Sequence, residues 1–173
     1  ESFNNANIDN DFLNKELLYD FSSTLKNNIN LIDDNENILC SMSHGDFTPW
    51  NIYIDNEKAY IFDWELASKK RPIFFDLFHF IFQSNTLLEN KSYPEFKKQI
   101  VSLVKNIKLK DCYKEIGVGI KNNYAFYLIY TSSYYVDLYL KQDKIHIQAN
   151  WLFTNWNLAL QDFYHNNGDI FND

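Results

Sequence analysis

Residues 43–76 read SHGDFTPWNIYIDNEKAYIFDWELASKKRPIFFD, and this stretch decides the fold. Asp46 lies just before Pro49, and Asn51 follows it by five positions. Ile52 and Ile54 alternate with Tyr53, Asp55-Asn56-Glu57-Lys58 is turn material, and Tyr60 to Phe62 resumes an apolar run. Residues 51–63 therefore predict a β-hairpin. An antiparallel hairpin returns its second strand beside the start of its first. Asn51 opens the hairpin and Asp63, twelve positions on, closes it, so the two are expected to come close in space. An amide oxygen beside a carboxylate is a hard-oxygen pair suited to Mg²⁺, which takes one or two protein ligands plus water and phosphate oxygens. Asp46, on the loop just before, would face the same metal from the nucleophile side.

Outward from this stretch the pattern is helical. Upstream, Leu13, Leu17, Phe21 and Leu25 recur every four residues, which predicts an amphipathic helix from Asp11 to about Ile29, preceded by a polar, frayed lead-in over 1–10. The polar run 32–37 reads as a loop and Ile38 to Met42 as a short strand. Downstream of Pro72, IFFDLFHFIFQ is apolar nearly all round, the mark of a helix buried on most faces. Phe96, Ile100, Leu103, Val104 and Ile107 form one helical stripe, and segments 121–141 and 148–166 complete a helical second half. The expected class is α+β, predominantly helical, with one small hairpin carrying the site. No internal repeat or linker interrupts it.

Composition sets the outer limits. At 173 residues and 20.7 kDa the chain fits one domain, or the larger half of a two-lobed protein. With 46% hydrophobic and 18% aromatic residues it has the apolar mass for a packed core, which excludes wholesale disorder. A formal charge of -7 disfavours nucleic acid, because no basic stripe is available to displace counterions from a phosphate backbone. Cys40 and Cys112 make no disulfide framework and have no metal-ligand spacing, so they read as reduced, mostly buried thiols. No charge-free apolar run reaches the roughly 18–20 residues that span a bilayer. The opening at Glu1, without Met or a basic-then-apolar leader, gives the expectation of a cytoplasmic protein and of a piece of a longer one. The 23 asparagines reflect codon bias more than chemistry.

Asp, then Asn five later, then Asp across a hairpin is the layout of a protein-kinase-type phosphotransfer site. The sequence resembles the aminoglycoside phosphotransferase and choline kinase-like branch of that superfamily. HGDFTPWN matches the branch's catalytic loop, IFDWE at 61–65 its metal-binding segment, and RPIFFDLFHF at 71–80 the helix start that comes next. The resemblance is strongest over 39–83, and helix order extends it across 11–173 as a C-terminal, acceptor-side lobe. Within the branch the wording is similar to kinases of bacterial polysaccharide or lipopolysaccharide assembly. The resemblance implies an ATP-dependent transfer (or transfer from another nucleoside triphosphate) to a hydroxyl of a small molecule or glycan. Asp46 would be the catalytic base and Asn51 and Asp63 would hold Mg²⁺. His44 would pack under the loop, and Asp76 would brace it by accepting backbone N–H bonds. The thirteen positions from Asp63 to Asp76 leave no room for a peptide-docking segment, which favours a small acceptor over a protein. Net acidity favours a cationic acceptor such as an aminoglycoside or amino alcohol, while the motif's wording favours a glycan.

Two departures stand out. Thr48 occupies the place where protein kinases carry Lys and many antibiotic kinases His, so a positive contact to the transferring phosphate is missing there. No Gly-rich loop or strand-borne Lys precedes residue 40, and Gly117-Val118-Gly119 fails the GxGxxG pattern. The nucleotide-clamping lobe is thus expected to be absent from this chain, and the chain alone to be inactive. The alternatives are a non-catalytic binding or scaffold protein of the same fold, and a metal-dependent hydrolase built on His44 and Asp46. The latter needs further ligands that the spacing does not supply. His79, His146 and His165 read as ordinary helix residues, and nothing fixes the oligomeric state.

Overall fold

The structure, a computed structural model, describes residues 19, 21–23, 25, 26, 38–117, 119–142 and 146–166. Its described part is predominantly helical with two small antiparallel sheets, the expected α+β class. Cys40–Ser43 (β1) pairs with Ser68–Pro72 (β4), and Ile52–Asp55 (β2) pairs with Lys58–Ile61 (β3). The second of these is the hairpin expected from the alternation. Its register runs from Ile52↔Ile61 to Asp55↔Lys58, leaving a two-residue turn, Asn56-Glu57, with both φ angles positive at 45° and 64°. Paired positive φ values give a tight turn the twist that matches the flanking strands.

The first sheet corrects the expectation of a single hairpin. Ser68-Lys69-Lys70-Arg71 carries no apolar alternation, so nothing in its local pattern signals a strand. It is held by a partner twenty-five and more positions upstream: Ser41 faces Arg71 and Ser43 faces Ser68, with an irregularity between them. A bulge of this kind bends the strand and re-aims the chain beyond it. Here that chain is the loop beginning at His44.

Five α-helices follow the sheets among the described residues from 75 onward. Phe75–Gln83 (α1) buries Phe75, Phe78, His79, Phe82 and Gln83, the 3–4 spacing of one broad face, so the apolar run is less uniformly buried than its composition suggests. A π-helical turn over Ser84–Leu88 follows. Tyr93–Lys105 (α2) starts where Glu95 accepts the Ser92 N–H at 2.7 Å, a capping arrangement that satisfies an orphan donor. The stripe read as one helix divides at Asn106: Tyr93, Phe96, Ile100 and Val104 are buried on α2, and Ile107–Ile116 is a separate helix (α3). Asn106 makes the break, its side chain accepting from Lys108 N at 3.0 Å. Gly117, at φ 67°, ends α3 in the left-handed conformation that glycine reaches without penalty. Ile120–Leu140 (α4) and Ile147–His165 (α5) are the two long helices expected from the Tyr- and Trp-rich segments.

The core lies between α1, α2, α4 and α5, with Phe78, Phe82, Phe96, Tyr127, Leu128 and Trp156 among its fully buried side chains. Of the helix expected over Asp11 to Ile29, only part is described; Phe21 and Leu25 there are buried, and Phe21 packs on Phe153 with ring centroids 5.1 Å apart. Leu13 and Leu17, and the lead-in over 1–10, lie outside the described residues. Both cysteines are free, but Cys40 is exposed and Cys112 half-buried, so neither is the buried thiol anticipated. Among the described residues no helix is long and apolar enough to cross a membrane.

Candidate functional site

The loop from His44 to Thr48 is fixed from three directions. From α1, Asp76 reaches back beneath it: Oδ2 accepts the His44 N–H at 2.7 Å, and Oδ1 accepts the Gly45 N–H at 2.9 Å and the Ser43 hydroxyl at 2.7 Å. One carboxylate thus receives three charge-assisted bonds, the stronger kind. From within the loop, the buried His44 ring uses both nitrogens. Nδ1 accepts the Asp46 N–H at 3.3 Å, which makes Nε2 the protonated nitrogen that donates to Phe62 O at 2.7 Å. That second bond ties the loop to the end of β3. The ring also packs on Trp64, with centroids 4.6 Å apart.

The third fixture is Gly45, whose φ of +90° belongs to glycine. A Cβ there would meet Arg71 Nη1 at 1.6 Å and Leu66 O at 2.4 Å, so the loop backbone, β4 and the turn after Asp63 close on one another at this point.

Asp46 follows, half-buried. Asn51, itself buried, donates its amide to Asp46 Oδ2 at 2.9 Å and to Asp46 O at 2.9 Å. The five-residue spacing read from the sequence is therefore the span of a direct side-chain contact. Both donations use Nδ2. The Asn51 Oδ1 is consequently left for another partner.

On the far side of Asp46 stands a residue that sequence reasoning passed over. His79 is fully buried, and its Nε2 lies 3.5 Å from Asp46 Oδ1, long for a hydrogen bond but close for a charge interaction. The imidazole lies nearly parallel to Phe75 (5.5 Å, 17°) and to Tyr135 (6.4 Å, 7°). His79 is thus a partner of Asp46 and not an ordinary helix residue. Its place on α1, three positions after Asp76, was the available signal: Asp76 reaches the loop backbone, and the next residue on the same helical face reaches the loop side chain. The His79 interaction, and secondarily the Asn51 amide, hold the Asp46 carboxyl below its ordinary value of 3.8 despite the opposing effect of burial.

Asp63 lies one residue beyond Phe62, whose N–H bonds to Asn51 O at 2.9 Å, so the hairpin does bring the Asp63 backbone to the Asn51 end of the ladder. It is exposed and left-handed, at φ 61° and ψ 63°. Asp tolerates that conformation better than most residues, yet it remains a strained position that the surroundings must enforce. A carboxylate and an amide oxygen are hard oxygen donors of the kind Mg²⁺ takes. Among the described residues no three His, Cys, Asp or Glu side chains converge on a common point. Thr48 is buried with its hydroxyl on Asp46 O at 3.3 Å, so that position serves the loop's own turn.

The chain matches no family model, no curated protein and no solved structure.

Proposed function

We propose that this chain is the acceptor-side lobe of a phosphotransferase that moves a phosphoryl group from ATP, or another nucleoside triphosphate, to a hydroxyl of a small molecule or glycan. The single observation that carries the reading is the Asp46 carboxylate, oriented by the Asn51 amide on one side and by buried His79 on the other. A carboxylate held in place at both oxygens, yet still partly accessible, is placed to accept a hydrogen bond from a substrate hydroxyl. Its depressed pKa keeps it ionised throughout the neutral range. Asp46 then acts chiefly by fixing the hydroxyl in line, taking its proton as the new bond forms. Phosphoryl transfer asks little more of a protein than such positioning and charge neutralisation.

Asn51 has a double role in this reading. Its Nδ2 orients Asp46 while its Oδ1, with Asp63, would hold Mg²⁺. The metal, when bound, neutralises charge on the nucleotide's phosphate oxygens. Asp76 and His44 touch neither partner and keep the loop in register.

The test is Mn²⁺, a paramagnetic substitute for Mg²⁺, added with ATP to the labelled chain. Broadening centred on Asn51 and Asp63, and lost in Asp63→Ala, is the expected result. Broadening confined to other acidic residues overturns the metal assignment and the phosphotransferase reading with it.

A further inference from the structure

Arg71 is the only arginine in a chain whose other basic side chains are lysines or histidines. It lies on β4, is 4% exposed, and forms no ion pair among the described residues. Its Nε and Nη1 have no hydrogen-bond partner among the described residues. A guanidinium cannot shed its proton in a protein, so burial leaves it charged with donors unspent, an arrangement that costs free energy unless something offsets it. Part of the offset is aromatic: the guanidinium carbon lies 4.8 Å from the Phe75 ring centroid and 5.6 Å from that of Tyr130. Faces of aromatic rings stabilise the charge but accept none of the N–H groups.

The surroundings say where those donors stand. Nη1 rests against Gly45, the residue before Asp46. Phe75, beneath the guanidinium, stacks on His79, which approaches Asp46. Tyr135, parallel to His79, has its phenol pKa raised mainly by burial, and it also feels both charges, Asp46 raising it and Arg71 lowering it. Arg71 and Asp46 therefore flank one aromatic cluster built from α1 and α4. The hairpin bearing Asn51 and Asp63 approaches Asp46 from the other elements. A group bound at Arg71 would belong to the molecule that meets Asp46 from the helical side.

We propose that Arg71 is an anion-binding residue, which holds a carboxylate or a phosphate monoester carried by the acceptor while the acceptor's hydroxyl faces Asp46. The acceptor role rests on the phosphotransferase reading; the anion site does not. A planar, stackable cation with fixed N–H groups suits either anion better than lysine does. The inference sets an anionic acceptor in place of the cationic one that net acidity suggests.

A lone arginine gives a lone Nε–Hε resonance, which can be followed in the unmodified ¹⁵N-labelled chain without nucleotide or Mg²⁺. The probes are glucose, glucuronate, glucose 1-phosphate and inorganic phosphate. A saturable shift with glucuronate assigns a carboxylate, and one with glucose 1-phosphate assigns a phosphate monoester; glucose should produce none. Followed by the Gly45 backbone amide, which the variants keep, Arg71→Gln should weaken binding of the acid at least about tenfold, with Arg71→Lys between the two. Absence of a saturable shift with both acids up to about 10 mM overturns the proposal. So does an affinity for inorganic phosphate equal to that for the sugar acids, which would mark a simple ion site. In Asp46→Asn the shift should persist. Anion binding by a chain in which Mn²⁺ with ATP broadens neither Asn51 nor Asp63 would refute the phosphotransferase reading alone, and that broadening without the anion shift would refute the Arg71 assignment alone.

Discussion

Asp76 is the residue on which the loop depends. Its carboxylate serves three donors on Ser43, His44 and Gly45, two of them backbone N–H groups with no alternative partner in the loop. Asp76→Ala should lower stability by about 1–3 kcal/mol, measured by urea unfolding, because stranded donors cost their full desolvation. Asp76→Asn, which keeps one acceptor oxygen but turns an NH₂ toward a donor, should fall between. Asp46 gives a separate expectation. Its carboxyl ionises more readily in the folded chain than at the ordinary 3.8, so its contribution to stability is complete above that value. That contribution is lost as pH falls through the depressed native value. Carboxyl ¹³C titration should show this value rising in His79→Phe, which keeps the aromatic stack and removes the ring nitrogens. An unchanged value would remove His79 as the partner. Asp46 and Asn51 were legible because their spacing is local to one loop, and Asp76 because a charge inside an apolar run needs partners to offset its burial. His79 and Arg71 were not, being hidden inside an apolar run and a basic tripeptide whose strand is made by a distant partner. The one signal for Arg71 was its solitude among lysines, which marks a position where a planar cation is required.

At the scale of elements, the joint between α1 and α2 is held by side-chain amides. Asn155 of α5 is fully buried and makes three bonds: Oδ1 accepts the Tyr93 N–H at 2.7 Å, and Nδ2 donates to Thr86 Oγ1 at 2.8 Å and to Lys91 O at 3.0 Å. Asn85 and Gln99 exchange amide bonds at 2.9 and 3.0 Å across the same joint. The π turn over Ser84–Leu88 is thus stabilised from outside, by side chains that no window of its own sequence contains. That is why helix periodicity located α4 and α5 but not this turn. Asn155→Leu, close in volume, should cost about 3 kcal/mol in urea unfolding, since it strands an N–H, a hydroxyl and a carbonyl together. It should leave the Asp46 pKa unmoved, as the joint follows the C-terminal end of α1, beyond His79.

For the whole molecule, the distribution of glycine and of exposed aromatic surface bears on what the chain can bind. Gripping a triphosphate tightly calls for backbone N–H groups that approach its oxygens, usually on a glycine-rich loop, together with a cation. The chain has four glycines. Gly45 is committed to the loop before Asp46, Gly117 ends α3 and Gly119 precedes α4; Gly168 lies outside the described residues. None of the three described ones forms a cradle, and the hairpin side presents Trp50, Tyr53, Ile54, Tyr60, Phe62 and Trp64 to solvent. Asn51 and Asp63 would contact the nucleotide only through a metal, and one metal bridge is weak without further contacts. Calorimetry on residues 1–173 should therefore find ATP·Mg²⁺ binding at millimolar Kd or weaker, about 4 kcal/mol or less, and no turnover of acceptor. Asp63→Ala should abolish even that, while Asp46→Asn should leave it largely intact, because in the proposed reading Asp46 serves the hydroxyl and not the nucleotide. Micromolar, Mg²⁺-dependent binding by the chain alone would show that its own residues suffice to clamp the phosphates, and would overturn this division of labour.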